Sequence, residues 1–249
     1  MSKQGEIEYL GNLGDGGARH AAAKPFSDDS CADNLMEMGA VMLLLPPPPA
    51  LLLDLGCGSG WTSVFFARRG YDVTGVDIAP DMIELARRAG EREGLDNLRF
   101  AVGDYESLDA GAEFDCAVFY DSLHHSSDER AALACAYRSL RTGGVCVTSE
   151  PGRGHAETLP ARNAVSMYGV TERDMEPERI IASGRAAGFR SFETYPHANV
   201  LVASMFRAPT RRLLSRVDTA AVMRTPLRLS LLAYRVARKR DSAIVVLVK

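Results

Sequence analysis

A short apolar run that leads directly into a glycine-rich turn constrains this chain more than any other feature. The run at 50–55 has prolines before it and glycines after it, which is typical of a buried central strand. Glycines stand at 56, 58 and 60, and Trp61 opens the helix that follows. Such glycines allow close approach of the backbone to a ligand, and a helix N-terminus favours an anion. We therefore expect a nucleotide-type site at the carboxyl end of this strand.

The residues after this turn alternate between strand-like and helix-like segments. Further strands are predicted at 72–76, 98–102, 115–120, 145–149, 192–195 and 243–248. Helices are predicted at 30–45, 65–69, 81–93, 128–140 and 171–187. Strands separated by helices indicate right-handed βαβ units, and hence an α/β fold of the Rossmann-like kind whose mostly parallel sheet has helices on both faces.

Composition excludes several other classes of protein. With 46% hydrophobic and 24% charged residues in 249, the chain resembles an ordinary globular protein rather than a disordered one. It has no apolar stretch of about 18 residues, and its first ten residues are too polar for a secretory signal. Its five cysteines form no Cys-x-x-Cys pair, so we expect a cytoplasmic protein without a metal site.

Acidic residues follow the later predicted strands. Asp77 ends the second strand, Asp104 follows the third and Asp121 follows the fourth. Because the carboxyl ends of parallel strands share one edge of a sheet, these side chains should meet in one crevice. A carboxylate at position 77 can accept hydrogen bonds from both hydroxyls of a ribose. The glycine spacing differs from the dinucleotide fingerprint, which would require glycine in place of Trp61, so an NAD-dependent oxidoreductase is disfavoured.

Taken together, these motifs resemble those of the class I S-adenosylmethionine-dependent methyltransferases. The matching segments are 53–60, 75–85, 100–105, 114–128 and 140–149. The resemblance implies S-adenosylmethionine as cofactor and a seven-stranded sheet in the order 3-2-1-4-5-7-6, with the last strand antiparallel. It assigns the methionine portion to Asp54 and the glycine turn, the ribose to Asp77, and the adenine to Ile78, Met82, Asp104 and Tyr105. The cofactor-binding residues expected on this basis are Asp54, Gly56, Cys57, Gly58, Gly60, Asp77, Ile78, Met82, Gly103, Asp104, Tyr105, Tyr120, Asp121 and Ser122.

Two histidines are the candidate catalytic residues. A sulfonium is already an activated leaving group, so methyl transfer needs alignment and, for a hydroxyl acceptor, a proton acceptor. His124 and His125 directly follow the donor-side strand, and an imidazole has a suitable pKa. A purely structural role for this pair remains an alternative, and Glu150, His155 and Tyr168 are further candidates for the base.

The residues after the fourth strand indicate a class of acceptor. Asp121-Ser122-Leu123-His124 replaces the Asn/Asp-Pro-Pro-Tyr sequence expected of enzymes that methylate nucleobase or glutamine amides. This favours the small-molecule branch of the family, with oxygen as the preferred acceptor atom. The alternatives that stay open are a C- or N-methyltransferase of a small metabolite, an RNA-directed methyltransferase and a non-catalytic S-adenosylmethionine-binding protein.

Charge divides the chain unevenly. Residues 1–200 hold 18 Lys+Arg and 30 Asp+Glu, whereas residues 201–249 hold 11 and 2. We expect a methyltransferase domain at 46–249 that carries a basic helical insertion at about 198–240. Arginines at 207–240 interleaved with leucines are typical of contact with an anionic membrane surface or with an anionic, lipid- or glycan-linked acceptor. Packing of this insertion against the acidic body is the alternative, and nucleic-acid binding is disfavoured.

The first 45 residues are expected to form a lid. Tyr9, His20, Lys24 and Phe26 lie in a stretch rich in glycine and alanine that precedes the first strand. The resemblance implies that such an N-terminal extension closes over donor and acceptor. A flexible tail is the competing interpretation.

Overall fold

One mixed sheet organises the part of the chain that the structure, a computed structural model, describes: residues 3–199 and 242–249. Its strands are β1 (Leu51–Leu55), β2 (Asp72–Asp77), β3 (Leu98–Val102), β4 (Phe114–Tyr120), β5 (Leu140–Ser149), β6 (Ser191–Tyr195) and β7 (Ile244–Val248). Their order is β3-β2-β1-β4-β5-β7-β6. The first five strands pair in parallel, and β7 is antiparallel to both β5 and β6. The predicted fold class, strand order and strand direction are confirmed.

Helices cover both faces of this sheet. They are α1 (Gln4–Ala22), α2 (Cys31–Leu44), α3 (Trp61–Arg69), α4 (Pro80–Glu93), α5 (Glu129–Ser139), α6 (Leu159–Tyr168) and α7 (Pro177–Ala187). Leu52 packs with side chains of α2 and α3 in one core cluster, whereas its neighbour Leu53 packs with side chains of α5 and α7 in another. Successive residues of a strand face opposite sides, which explains why β1 is apolar without interruption.

Several predicted boundaries were wrong: the helix predicted at 65–69 begins at Trp61, and the strand predicted at 145–149 begins at Leu140. Leu140 does not end α5 but begins β5, where it pairs with Phe114 across a register irregularity in β4. The helix predicted from residue 171 begins only at Pro177, whose fixed φ and missing N–H suit a first helical position. The preceding residues are irregular, and α6 was not predicted at all.

The N-terminal segment is largely helical. The prediction of a helix at 30–45 is confirmed by α2, but α1 was not foreseen because its glycines disfavour helix. Gly14, with φ of 64°, breaks α1 in two. Helix α1 contacts α4 and α6. None of the described helices is long and apolar enough to cross a membrane. The predicted basic insertion lies outside the described residues, apart from positions 198 and 199.

Substitution of Gly75 should destabilise the sheet. A Cβ at this position in β2 would lie 2.7 Å from the Phe100 ring and 2.8 Å from Oγ of Ser63. Overpacking of this kind costs about 1–3 kcal/mol, so we expect Gly75→Ala to lower the free energy of unfolding by that amount in chemical denaturation. Gly39→Ala is the matched control, since a Cβ there meets nothing within 4 Å in a helix. Equal stability of the two variants would contradict the packing described for β2.

Candidate active site

A cavity of about 410 Å³ opens at the carboxyl ends of the parallel strands. Its size suits a small-molecule site. Most of the residues expected to bind a cofactor line it, together with both candidate catalytic histidines. They are Gly56, Cys57, Gly58, Asp77, Ile78, Met82, Asp104, Tyr105, Tyr120, Asp121, Ser122, His124 and His125. Asp54, Gly60 and Gly103 do not line the cavity.

The glycine turn is fixed to the neighbouring strand. The backbone N–H groups of Gly56 and Cys57 both donate to the carbonyl of Val76, at 2.8 and 3.0 Å. Gly56 has φ of 77°, and a Cβ there would lie 2.5 Å from Cβ of Ser122. Only glycine fits this position without strain, so the turn can pack directly against Ser122.

Asp54 supports the turn from below. Its buried carboxylate accepts hydrogen bonds from Oγ1 of Thr62 at 2.7 Å and Oγ of Ser63 at 2.6 Å, in the first turn of α3. Burial raises the pKa of Asp54 to about 6. These contacts brace the turn and the helix, and the expected contact of Asp54 with the methionine portion stays a prediction.

Gly60 and Gly103 also act through packing and backbone contacts. A Cβ at Gly60 would lie 2.8 Å from both Ala86 and Phe100, so its absence lets α3 approach α4 and β3. The N–H of Gly103 donates to the carbonyl of Asp77 at 2.9 Å. Both residues shape the surroundings of the cavity without reaching it.

Asp77 is the acidic group in the floor of the cavity. Its Oδ2 accepts from the N–H of Gly58 and its Oδ1 from the N–H of Ala79, each at 2.9 Å. Burial raises the pKa of Asp77 even though these two bonds favour the carboxylate. Each oxygen keeps acceptor capacity on the cavity side, so the group can receive two further hydroxyl donors. This geometry fits the vicinal hydroxyls of a ribose.

The predicted adenine side is covered by the start of α1. Nζ of Lys3 lies 2.5 Å from a carboxylate oxygen of Asp104 and 2.9 Å from one of Glu106. Tyr105 donates its hydroxyl to the carbonyl of Ser122 at 2.9 Å and packs edge-on against Phe119. An adenine amino group that bound Asp104 would therefore have to share the Asp104 carboxylate with Lys3.

Aromatic side chains form the wall towards α2. Trp61 packs edge-on against Phe65 and Tyr120, with ring centroids 5.8 and 5.3 Å apart, and it also lines the cavity. Tyr120 donates its hydroxyl to the carbonyl of Asn34. The next residue, Asp121, has φ of 51°, a left-handed conformation that non-glycine residues adopt at strained positions such as active sites.

His124 is held in one orientation by a buried carboxylate. Glu150 accepts hydrogen bonds from the N–H groups of Ser122, Leu123 and His124, and its Oε2 lies 2.8 Å from Nδ1 of the His124 ring. Nε2 of His124 lies 3.5 Å from a carboxylate oxygen of Glu172. Although burial disfavours the charged ring, the hydrogen bond and charge of Glu150 raise the pKa of His124 to about 9. Glu150 itself is fully engaged, so the geometry favours an orienting role for it over that of a base.

His125 stacks beside His124 but has a different environment. Their ring centroids are 4.0 Å apart, and Nδ1 of His125 lies 2.7 Å from the carbonyl of Thr171. Burial, together with the charge of His124, lowers the pKa of His125 to about 4. The ring is therefore neutral at physiological pH, with its Nδ1 proton donated to that carbonyl.

Two acidic residues of the site carry no sequence motif. A carboxylate oxygen of Glu172 is hydrogen-bonded to Nε2 of His155 at 2.6 Å. Burial alone would raise the pKa of Glu172, but this hydrogen bond lowers it. Glu6 of α1 accepts from the N–H of Thr171, and burial raises its pKa to about 7. Both residues lie in segments without a family motif, so only the fold brings them to the cavity. Of the other candidate residues, Tyr9, His20, Lys24 and His155 line the cavity, whereas the Phe26 side chain is exposed.

The chain has recognisable relatives. The family model described as a methyltransferase domain matches residues 52–144. A ubiquinone biosynthesis O-methyltransferase of Psychrobacter cryohalolentis is 37% identical over 105 residues, which are 41% of this chain and 41% of that protein. The S-adenosyl-L-methionine-dependent Diels-Alderase iccD of Talaromyces variabilis is 37% identical over 97 residues, 37% of this chain and 33% of that protein. The alignments thus span about two fifths or less of these curated relatives.

Solved structures show the same fold. The phosphoethanolamine N-methyltransferase 2 of Haemonchus contortus, in complex with S-adenosyl-L-methionine, superposes with a TM-score of 0.68 and 18% identity, over 100% of this chain and 60% of that one. The geranyl diphosphate C-methyltransferase of Streptomyces coelicolor superposes with a TM-score of 0.64 and 15% identity, over 100% and 97%. The matched domain, the strand order and the position of the glycine turn all agree with a methyltransferase fold. Residues 52–144 therefore form a methyltransferase domain, and the chain has the fold of these methyltransferases of known structure.

Proposed function

We propose that this protein transfers a methyl group from S-adenosylmethionine to a hydroxyl group of a small, uncharged acceptor. One observation carries the proposal: a buried histidine, His124, lines the same cavity as Asp77, and Glu150 fixes the orientation of its ring. The O-methyltransferase activity named for the curated relatives supports oxygen as the acceptor atom.

The residues present fit the cofactor. Asp77 offers two acceptor oxygens, and a Cβ at Gly58 would meet nothing within 4 Å, which leaves open space beside the turn there. Ile78 and Met82 add apolar contacts beside them. When bound, S-adenosylmethionine supplies an electrophilic methyl group on a sulfonium leaving group. The chain therefore needs to hold the donor, align the acceptor and accept a proton.

His124 is the proposed proton acceptor. Its Nδ1 proton is donated to Glu150, which leaves Nε2 as the basic atom. The surrounding carboxylates raise the pKa of the ring and so make this nitrogen a strong base. On transfer of the methyl group from the sulfonium sulfur to the acceptor oxygen, Nε2 would accept the hydroxyl proton, and Glu150 and Glu172 would stabilise the charge formed on the ring. His125 packs against this ring and keeps it in place.

The charge of the cavity disfavours an anionic acceptor. Acidic side chains outnumber the lysines in its lining: Glu6, Asp28, Asp77, Asp104, Glu106, Asp121 and Glu172 stand against Lys3 and Lys24. Lys3 is already paired with Asp104 and Glu106. An anionic acceptor would be repelled unless residues outside the described ranges bind it. The membrane-surface contact expected from 207–240 lies outside those ranges and stays a prediction.

Methyl transfer can be tested with a donor that carries a trideuterated methyl group. We expect S-adenosylhomocysteine and a labelled methyl ether to form from neutral phenols, catechols or sugars in a panel that also contains matched amines and phosphorylated analogues. Mass spectrometry identifies the atom that carries the label. Label on nitrogen or carbon, or only on the phosphorylated members, would contradict the proposal.

Helix α1 is the proposed lid of this cavity. It contacts three parts of the site: Lys3 reaches Asp104, Glu6 reaches Thr171, and the carbonyl of Ala21 accepts from Ser59 at 2.6 Å. A helix held by polar contacts on an otherwise formed cavity can open without unfolding the sheet. Donor binding should therefore protect α1 from trypsin.

Docking of α1 in the ligand-free protein should weaken as pH rises. Burial raises the pKa of Glu6 to about 7, so the docked state favours the protonated acid. The contribution of Glu6 to the docking of α1 is fully present below the ordinary pKa of glutamate, and it is lost as pH rises through about 7. We expect the rate of tryptic cleavage at Arg19 in the wild type, divided by the rate in Glu6→Gln at the same pH, to increase from about pH 5.5 to about pH 8.5. A constant ratio between the two proteins would contradict this role of Glu6.

A further inference from the structure

Three potential metal ligands lie together in the cavity wall. His124, His125 and Glu172 each offer one ligand atom, and these atoms all lie within 4.8 Å of one another. Nε2 of His124 and a carboxylate oxygen of Glu172 are 3.5 Å apart. Two imidazoles and one carboxylate on one side of an ion are a ligand set that suits divalent transition metals. The sequence did not indicate this set, because residue 172 is distant from the histidines along the chain.

The other nitrogen of each ring has a hydrogen-bond partner of the kind that ligand histidines use. Nδ1 of His124 lies 2.8 Å from Glu150, and Nδ1 of His125 lies 2.7 Å from the carbonyl of Thr171. Metal-bound histidines almost always donate their free N–H to a carboxylate or a carbonyl, which fixes the ring and makes the ligating nitrogen more basic. Both rings therefore keep Nε2 available as a ligand atom.

The charge around the cluster also favours a cation. Glu6, Asp121, Glu150 and Glu172 face the two rings, and His155 shares Glu172 at 2.6 Å. Such an excess of carboxylates can be neutralised by protons on the histidines or by a bound dication.

We propose that His124, His125 and Glu172 form a binding site for a divalent transition-metal ion of the zinc and cobalt class, with its remaining coordination positions open to the cavity. The ion would occupy Nε2 of His124, the atom proposed as the proton acceptor. Metal binding therefore removes the base from the proposed methyl-transfer reaction. This last consequence rests on the proposed function, whereas metal binding itself does not.

Cobalt(II) is the probe of choice because its visible absorption reports the ligand set. Titration of the metal-free full chain should give one site per chain with d–d bands of nitrogen and oxygen ligation, and zinc should displace the cobalt. Glu172→Gln and His125→Gln should each weaken binding by about tenfold or more. His197→Asn is the matched control, since His197 pairs with Glu37 away from the cluster.

The outcomes separate the two proposals. Absence of cobalt bands, or equal binding by wild type, Glu172→Gln and His125→Gln, would overturn the metal site whatever the methyltransferase assay shows. Circular dichroism of each variant identifies those that fail to fold, and His125→Asn then replaces a misfolded His125→Gln. If cobalt binds and the variants lose it, inhibition of methyl transfer by zinc tests the competition with the base.

Discussion

Replacing Asp77 by alanine should weaken S-adenosylmethionine binding by about 100-fold or more. The carboxylate lies in the cavity floor and keeps an acceptor site on each oxygen for a ribose hydroxyl, and charge-assisted bonds of this kind contribute roughly 1.5–3 kcal/mol each. Trp61, the only tryptophan of the chain, lines the same cavity. Quenching of its fluorescence therefore measures the affinity directly.

Two further variants make this result specific. Asp77→Asn keeps the size of the side chain and one acceptor oxygen, so it should bind more weakly than wild type but better than Asp77→Ala. Asp72 lies on the same strand, where its exposed carboxylate pairs with Arg99, so Asp72→Asn should bind like wild type. Donor affinity that is unchanged in Asp77→Ala would show that the ribose is bound elsewhere.

Replacing His124 by asparagine should lower kcat by about 10²- to 10⁴-fold and leave donor affinity nearly unchanged. The asparagine amide can still donate to Glu150, but it has no basic nitrogen at the position of Nε2. His197→Asn is the matched control because its side chain pairs with Glu37 outside this cavity. An equal loss in both variants would indicate damage to the fold rather than loss of a base.

The pH profile gives a second readout of the same residue. Because the neutral ring is the active form and carboxylates raise its pKa to about 9, the rate of the wild type should increase as pH rises through neutrality. Glu150→Gln removes the nearest negative charge, so the profile should shift to lower pH. A profile that is the same in Glu150→Gln would exclude His124 as the titrating base.

The sequence predicted the sheet and the convergence of several strand-end residues on one cavity, because both depend on local signals. Apolar strands, the glycine turn and an acid at a strand end are short motifs, and parallel topology brings their carboxyl ends together. Asp77 and the turn at 56–58 accordingly line the cavity. Gly60 and Gly103 belong to the same motifs but serve close packing and backbone pairing instead.

The acceptor side could not be predicted in the same way. Glu6 and Glu172 reach His125 and His124 only because α1 and the segment before α7 fold over the strand ends. Nothing in the residues around them distinguishes these two glutamates from exposed ones. The orientation of His124 likewise depends on Glu150, 26 residues further along the chain. Contacts of this range follow from tertiary structure rather than from a pattern.

The most direct test of the account is a calorimetric titration of the wild-type protein with S-adenosylmethionine and, in parallel, with NADH. The geometry of the glycine turn and of Asp77 predicts saturable binding of S-adenosylmethionine with an affinity of the order of micromolar, about −8 kcal/mol, and no binding of NADH. Failure to bind S-adenosylmethionine would leave the fold in place but contradict the methyltransferase function and every role assigned to the residues of the cavity.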